Sequence, residues 1–496
     1  MTPALERDDI QGILASGYGR LPNARFTLFT ADTAAGAGAL IGWMLPRLTP
    51  ADRGRQEDGG PRDGSRREGA WQVAYTAAGL RRLGLAETAV NGFSAEFVAG
   101  MADPDRSRIL GDLAESAPQH WAWGGPRSPE IDGIILAYAA DPPALATMQA
   151  DLREAFARLG IRTVVDLPTL ELAGREPFGF RDGISQPLVE GLSAAPDGGP
   201  TVPAGEFVLG YPNAHGLLTD RPLLPPAADP SHLLPPDAGR SGAADLGRNG
   251  SYLVVRQLAQ DVDGFWRYVE DATRRPDGSV DPQASVALAA KMVGRWPGGA
   301  PLVKARERDD PGLAGDNDFG YHHTDPIGYA SPLGAHIRRA NPRDSLDPQP
   351  GTAASLRIND RHRLLRRGRS YGPARQDGGA DPSAERGLYF MCLAGNLSRQ
   401  FEFVQHTWLN NPTFHGLYQE TDPVVGGRSP AARDFTAPAR PVRRRYRGVP
   451  QFVHVRGGGY FFLPGISALR YLAHLADADL PATATDSTPD PEPTAG

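Results

Sequence analysis

The sequence has one cysteine, two lysines and no long uninterrupted apolar run among its 496 residues. A single cysteine excludes an intramolecular disulfide and a multi-cysteine metal cluster, which fits a reducing compartment. The longest apolar candidate, Ala34 to Leu45, is much shorter than a membrane span. The first residues include Glu6, Asp8 and Asp9, where a secretory signal would have a basic start and an apolar run. We therefore expect a cytoplasmic protein that does not enter a membrane.

Net positive charge is also absent, since the formal net charge is -6 and the pI is close to 6.0. Nucleic-acid-binding proteins need a basic surface to displace counterions, so no nucleic-acid partner is expected. Five of the arginines form a run near the C-terminus: Arg440, Arg443, Arg444, Arg445 and Arg447. Such a run could attract anionic substrates, although a solvated loop is the commoner explanation.

The stretch from Gly334 to Arg343 places one imidazole, that of His336, between small or apolar neighbours and follows it with arginines. An imidazole can ligate the iron of a haem, and guanidinium groups can pair with its propionates. Taken alone, a histidine in such a setting is more often a packed core residue. The adjacent pair His322 and His323 is a weaker metal candidate, because neighbouring residues on a strand point to opposite faces.

Two further stretches bear on the same chemistry. Glu176 to Pro187 contains Asp182 in a turn flanked by glycines, and Arg363 to Gly372 contains Arg366 directly after two apolar residues. An isolated Asp182 would be an ordinary turn residue, and Arg366 could be solvated like its arginine neighbours. An iron-ligating histidine, a carboxylate that moves a proton and an arginine that stabilises charge are, however, the groups that a peroxidase needs.

These stretches, together and in this order, resemble the dye-decolorizing peroxidase family. Gly179 to Gly183 matches the motif G-x-x-D-G, His336 lies in H-I-R-x-x-N-P-R, and Arg366 lies in L-L-R-R-G-x-x-Y-G. Supporting matches are Asp8 to Gly12, Gly205 to Tyr211, Gly294 to Pro297 and Arg456 to Phe462. The length of the chain is similar to that of the family's long-chain branch.

The resemblance implies a haem b peroxidase that reduces hydrogen peroxide and oxidises small aromatic reductants such as phenols or dyes in one-electron steps. His336 is then the iron ligand, while Asp182 and Arg366 are the catalytic pair. The other expected contacts of the haem site are Arg338 and Arg343 near the propionates, Leu388 and Phe390 as an apolar wall, and Asp422 as acceptor for the second N–H of the imidazole, with Glu420 as the second choice.

Two alternatives stay open on the residues alone: a non-catalytic haem carrier or sensor, and a haem deferrochelatase. A carrier has no use for both Asp182 and Arg366, so their presence favours the enzyme. Tyr371 and Trp408 are candidates to relay electrons from bulky reductants, although core packing is the commoner role of such residues. The residues do not indicate an oligomeric state.

The order of predicted strands and helices indicates an α+β fold with helices on one face, and the family's fold has two ferredoxin-like domains with antiparallel sheets. We expect a domain at 1–211 that carries the G-x-x-D-G motif, an extended Pro/Gly-rich linker at 212–249, a haem-binding domain at 250–479 and a disordered tail at 480–496. Asp141 and Pro142 mark a helix start. Phe401 to Trp408 is predicted to be helical, and Phe452 to Phe462 to be a strand pair.

Overall fold

The computed structural model describes residues 4–52, 68–171, 173–193, 201–373, 384–427 and 433–478. The tail predicted at 480–496 lies outside these residues. Within the described ranges, no helix combines the length and the apolar character needed to cross a membrane.

Most strands of the described chain join one large antiparallel sheet. The strands are β1 (Asn23–Ala31), β2 (Gly69–Tyr75), β3 (Gly133–Ala139), β4 (Ile161–Pro168), β5 (Leu223–Leu224), β6 (Ala244–Asp245), β7 (Ser251–Gln260), β8 (Leu365–Arg366), β9 (Arg369–Tyr371), β10 (Gly387–Ala394), β11 (Phe435–Ala437), β12 (Arg444–Tyr446) and β13 (Val453–Leu463). The large sheet has the order β4-β1-β3-β2-β13-β7-β10-β8, with β9 also paired to β10. The two remaining pairs, β5 with β6 and β11 with β12, are small separate ladders.

The described α-helices lie between these strands along the chain, except the last helix, which follows β13. They are α1 (Ala34–Met44), α2 (Ala77–Arg82), α3 (Glu87–Val90), α4 (Ala95–Ala99), α5 (Pro104–Leu110), α6 (Pro142–Leu159), α7 (Val262–Ala272), α8 (Pro282–Val293), α9 (His336–Ala340), α10 (Ala353–Asp360) and α11 (Ile466–Ala478). The helix start predicted at Asp141 is confirmed, since its side chain accepts the N–H of Ala144 and Pro142 occupies the first turn. Phe401 to Trp408 is helical, but with the wider π-type hydrogen bonding.

The sheet consists of two halves with the same topology. In the first half the chain runs β1-α1-β2-β3-α6-β4 and the strands stand in the order β4-β1-β3-β2. In the second half β13, β7, β10 and β8 repeat that order, and the halves meet where Phe462 of β13 pairs with Tyr75 of β2. This is the predicted α+β fold with two ferredoxin-like units. The exact domain boundaries stay a prediction.

The two faces of the sheet are covered differently. On one face, α1, α6 and α11 pack in a large apolar cluster that includes Leu40, Phe156 and Leu469. On the other face, Phe26 and Leu253 pack beneath segments near residues 10–21 and 189–211, which have no long helix. The side chains of Leu388 and Phe390 belong to the helix-covered side, where the cavity described below lies.

The segment at 212–249 has little regular structure, as expected, but it is not extended. Leu224, Leu234 and Leu246 are buried in the core of the sheet. Arg221 is also buried and forms ion pairs with both Asp237 and Asp245. These contacts hold the segment against the protein body.

The strand pair predicted for Phe452 to Phe462 is wrong, because β13 is one continuous strand with a bulge between Val455 and Gly457. A Cβ on Gly457 would lie 2.5 Å from the ring of Trp123, so this glycine lets an indole pack directly on the strand.

Candidate active site

The first residue of α9 is His336, and its ring is held by a buried carboxylate. Nδ1 of His336 lies 2.9 Å from Oδ2 of Asp422, whose other oxygen accepts the backbone N–H groups of Val424 and Val425. The Asp422 side chain is fully buried, whereas that of His336 is 27% exposed and lines a cavity. A carboxylate at this position favours the tautomer with the proton on Nδ1, which leaves the lone pair of Nε2 available.

Burial alone would lower the pKa of His336 and raise that of Asp422. The attraction between the two groups outweighs this, so the pKa of His336 is raised and that of Asp422 is lowered. The structure brings Asp422, and not the second choice Glu420, to the imidazole. Glu420 instead accepts the backbone N–H of Thr436 at 2.8 Å.

The buried side chain of Arg339 connects the segments that carry these two residues. Its guanidinium donates to three backbone carbonyl oxygens, those of Trp408 at 2.7 Å, Asn411 at 3.0 Å and Glu420 at 2.5 Å. Arg339 is three residues after His336, and Glu420 is two residues before Asp422. Arg339 thereby fixes α9 against the chain that presents Asp422.

Asp182 and Arg366 line the same cavity as His336. Oδ1 of Asp182 lies 3.6 Å from Nη1 of Arg366, and both side chains are partly exposed, at 41% and 34%. Gly179 and Gly183 adopt φ values of +98° and +78°, which explains why glycine flanks this turn. The backbone N–H of Arg366 donates to Oε1 of Gln186 at 3.0 Å, which ties the two segments together.

Glu176 anchors the turn that carries Asp182. Its carboxylate accepts the backbone N–H groups of Phe178 and Phe180, each at 2.9 Å, and the side-chain amide of Gln260 on β7 at 2.8 Å. Burial, reinforced by the negative charge of Asp182, outweighs these hydrogen bonds and raises the pKa of Glu176 to about 7. The residues around Glu176 in the sequence did not indicate this anchoring role.

The cavity also contains the predicted apolar wall of Leu388 and Phe390. Its volume is about 280 Å³, measured as the space open to the centre of a water molecule. One water needs roughly 10–15 Å³ on this measure, so the space far exceeds what peroxide alone requires.

Two arginines that line the cavity, Arg295 and Arg343, form no ion pair with a carboxylate among the described residues. Arg343 donates to Asn317 and Phe319, and Arg295 to Gly299 and Asp316, in each case to carbonyl oxygens. Burial first, and then repulsion by Arg343, lowers the pKa of Arg295 to about 10. Burial also lowers the pKa of Arg363 to about 10, although the carboxylate of Asp360, 4.0 Å from its guanidinium, opposes this shift. The groups that repel Arg363 are Arg343 and Arg366. Such a cluster is suited to bind carboxylates.

The structure does not bring Arg338 to the cavity lining. Its guanidinium donates to the carbonyl oxygens of Asp325 and Ser331 and stacks over the ring of Tyr321, with 4.4 Å to the ring centroid. The reason is helix geometry: a residue two positions after His336 is rotated by about 200° around the axis and points away. Arg363, three residues before Arg366, takes a cavity position that we had not predicted.

The two aromatic relay candidates are both buried, Tyr371 at 6% and Trp408 at 5% exposure. The hydroxyl of Tyr371 donates to Glu385 at 3.0 Å, and its ring stacks on Tyr389. Neither residue presents a surface to a bulky reductant, so an electron route through them stays a prediction.

Comparison with known proteins identifies a family, although no protein-family model matches the chain. A dye-decolorizing peroxidase of Exidia glandulosa is 32% identical over 490 residues, which cover 94% of this chain and 87% of the relative. The chain belongs to the dye-decolorizing peroxidase family. A multifunctional dye peroxidase of Amycolatopsis sp. is 31% identical over a matched region that covers 80% of this chain and 83% of the relative. The deferrochelatase of Yersinia pestis matches only 45% of this chain at 29% identity.

Solved structures of this peroxidase family share the fold. The fungal DyP-type peroxidase of Auricularia auricula-judae superimposes with a TM-score of 0.75 at 25% identity, covering 96% of this chain and all of that one. A dye-decolorizing peroxidase in complex with 2,6-dimethoxyphenol gives a TM-score of 0.74 at 26% identity. The family is haem-dependent, and the site fits a haem: the cavity is large, Nε2 of His336 makes no hydrogen bond to the described residues, and arginines surround the cavity.

Proposed function

We propose that this protein is a haem peroxidase that reduces hydrogen peroxide and oxidises small aromatic reductants one electron at a time. The observation that carries the proposal is the presence of two functional pairs in one cavity: His336 with Asp422, and Asp182 with Arg366. A haem carrier or sensor would need only the first pair. The deferrochelatase alternative is less well supported, because that relative matches less than half of the chain.

The cofactor that we propose is haem b, held through Nε2 of His336. Arg343 and Arg363 are suited to its two propionates, because both line the cavity and their positive charges repel one another. Bound haem supplies the iron at which the peroxide bond is broken and stores the oxidising equivalents. Asp422 keeps the proton on Nδ1 of His336 and makes the imidazole a stronger donor.

The peroxide chemistry is assigned to Asp182 and Arg366. An oxygen of the Asp182 carboxylate takes the proton from one peroxide oxygen and delivers it to the other, which leaves as water. The guanidinium of Arg366 stabilises the negative charge that develops while the oxygen–oxygen bond breaks. Leu388 and Phe390 limit the space beside these groups and exclude surplus water.

The experiment is reconstitution of the purified chain with haem b, followed by peroxide-dependent oxidation of 2,6-dimethoxyphenol. The wild type should turn over, and Asp182→Asn should lose about 10²- to 10⁴-fold in kcat/KM for peroxide with its haem content unchanged. A haem-loaded wild type without turnover would leave the carrier as the better account. Cytoplasmic location stays a prediction, which fractionation of the native cells would test. The lack of a nucleic-acid partner also stays a prediction.

A further inference from the structure

Two carboxyl groups, those of Glu176 and Asp182, line the proposed haem cavity from a single turn of the chain. Backbone hydrogen bonds close this turn: the N–H of Glu176 donates to the carbonyl oxygen of Phe180 at 2.9 Å, and the N–H of Asp182 donates to that of Gly174 at 3.0 Å. The peroxide chemistry proposed above uses only Asp182. Glu176 is a second carboxyl group of the cavity, and the peroxide chemistry gives it no role.

The surroundings of the two carboxyl groups differ. Asp182 is 41% exposed and has Nη1 of Arg366 at 3.6 Å. Glu176 forms no ion pair with the described residues, and its hydrogen bonds come from two backbone N–H groups and the amide of Gln260. Burial and, to a smaller extent, the charge of Asp182 raise the pKa of Glu176 to about 7. Glu176 therefore carries a proton in neutral and acidic solution.

The charged side chains on the neighbouring elements have other partners. Arg256, which lines the cavity from β7, forms an ion pair with Asp112. Within the turn, Arg175 donates to two backbone carbonyl oxygens, at 2.6 Å and 2.9 Å, and Arg181 is exposed to solvent. From α7 the uncharged Trp266 donates to a backbone carbonyl oxygen of the turn at 3.0 Å. Among the described residues, none of these cations pairs with the carboxylate of Glu176.

Gln260 on β7 is suited to both charge states of Glu176. Its Nε2 donates to Oε2 of the carboxylate at 2.8 Å, while its Oε1 is buried without a hydrogen-bond partner among the described residues. Rotation of the amide by half a turn exchanges these two atoms, so that Oε1 can accept the O–H of a neutral carboxyl group. Glu176 can therefore gain or lose a proton and keep its contact with β7.

We propose that Glu176 stores a proton for this cavity and passes it to Asp182 while the second oxygen atom of peroxide becomes water. The proposal rests on the proposed peroxidase function. Two carboxyl groups in different surroundings can divide the acid and base work of one site. Asp182 moves a proton between the peroxide oxygens, and Glu176 holds one in reserve.

The balance of protons shows where the reserve is needed. When the peroxide bond breaks, both peroxide protons leave with the first water, so Asp182 ends as a carboxylate. The remaining oxygen atom needs two electrons, one from each of two reductant molecules, and two protons. Glu176 supplies one proton through cavity water and Asp182. Solvent supplies the other and then protonates Glu176 again.

The test compares Glu176→Gln, which cannot release a proton, with the matched control Asp229→Asn. The side chain of Asp229 is also buried, accepts the backbone N–H groups of Leu233 and Leu234, and lies outside the cavity lining. Infrared spectra of the resting, haem-loaded proteins against pH measure the C=O stretch of protonated carboxyl groups. Sequential stopped flow then measures two rates separately: the reaction with peroxide, and the return of the Soret band after 2,6-dimethoxyphenol is added.

The infrared spectrum of the wild type minus that of Glu176→Gln should show a carboxyl band in acid that disappears with a midpoint near pH 7. At about pH 6, Glu176→Gln should slow the return step at least about tenfold more than it slows the reaction with peroxide. Acetate buffer, whose acid can deliver a proton in place of Glu176, should restore the return step of this variant in proportion to its concentration. Asp229→Asn should keep the wild-type ratio of the two rates and gain nothing from acetate.

A difference spectrum without a carboxyl band that titrates near pH 7 would overturn the proposal. So would equal slowing of both steps, because Glu176 would then only hold the turn, or a slow return step that acetate does not restore. If the peroxidase function itself fails, neither rate can be measured even for the wild type, while the infrared titration still shows whether Glu176 holds a proton.

Discussion

Replacement of Arg339 by methionine should separate the two segments that form the histidine site. The side chain is fully buried, and its three acceptors are backbone carbonyl oxygens that would be left without a partner. An unpaired buried polar group costs about 1–3 kcal/mol. Burial of the guanidinium also has a cost, visible in its pKa, which burial lowers to about 10 despite Asp422 and Glu420 nearby. The variant is relieved of that cost, so we expect a net loss of about 3 kcal/mol in the free energy of unfolding.

The assay combines denaturant unfolding of the haem-free protein with resonance Raman spectroscopy of the reduced, haem-loaded protein. Because Arg339 fixes α9 to the chain before Asp422, its loss should weaken the His336–Asp422 hydrogen bond and lower the iron–histidine stretching frequency. Arg338→Met is the control: it also removes a buried guanidinium bound to carbonyl oxygens, together with an ion pair to the buried carboxylate of Asp325, and these partners lie in a different segment. It should lose stability without the spectral shift. An Arg339→Met protein with wild-type stability and frequency would refute the reasoning.

Two further predictions concern the cavity. Folding raises the pKa of Glu176 from 4.5 to about 7, so its stabilising contribution is complete below pH 4.5 and is lost as the pH rises through 7. Relative to Glu176→Gln, the free energy of unfolding of the wild type should fall by at most about 3 kcal/mol between pH 4.5 and pH 8. A difference between the two proteins that stays constant with pH in denaturant unfolding would contradict this. Arg363→Leu should release haem to an excess of apomyoglobin at least about tenfold faster than the wild type does. The reason is that a buried charge pair between Arg363 and a propionate is worth more than about 1.4 kcal/mol. An unchanged release rate would show that Arg363 does not bind a propionate.

The sequence predicted the fold class because local signals and the global topology agree. Asp141 and Pro142 start α6 as predicted, and the two ferredoxin-like units that the family resemblance implied are the two halves of the sheet. A glycine can serve a turn or close packing, and the strand pair predicted for Phe452 to Phe462 was wrong where Gly457 serves packing: it admits the ring of Trp123 to a continuous strand. Linear spacing cannot distinguish these two uses of glycine.

The candidate site was predictable only as far as the motifs reach. Asp182, His336 and Arg366 each stand in a recognisable stretch, and the structure gathers them in one cavity. Arg338 does not line the cavity, because its direction depends on its angle around α9. Arg363 and Arg339 were missed because their positions depend on segments distant in sequence; the contact of Arg339 with Glu420 spans 81 residues.

The central claim is that Asp182 and Arg366 make a haem held by His336 reactive toward peroxide. The most direct test is a stopped-flow visible spectrum of the haem-loaded protein after one equivalent of hydrogen peroxide, for the wild type and for Asp182→Asn. The account predicts that the Soret band of the wild type shifts within milliseconds to seconds and returns when a reductant is added, while the variant reacts about 10²-fold or more slowly. A wild-type Soret band that peroxide leaves unchanged, or an Asp182→Asn variant that reacts as fast as the wild type, would contradict the account.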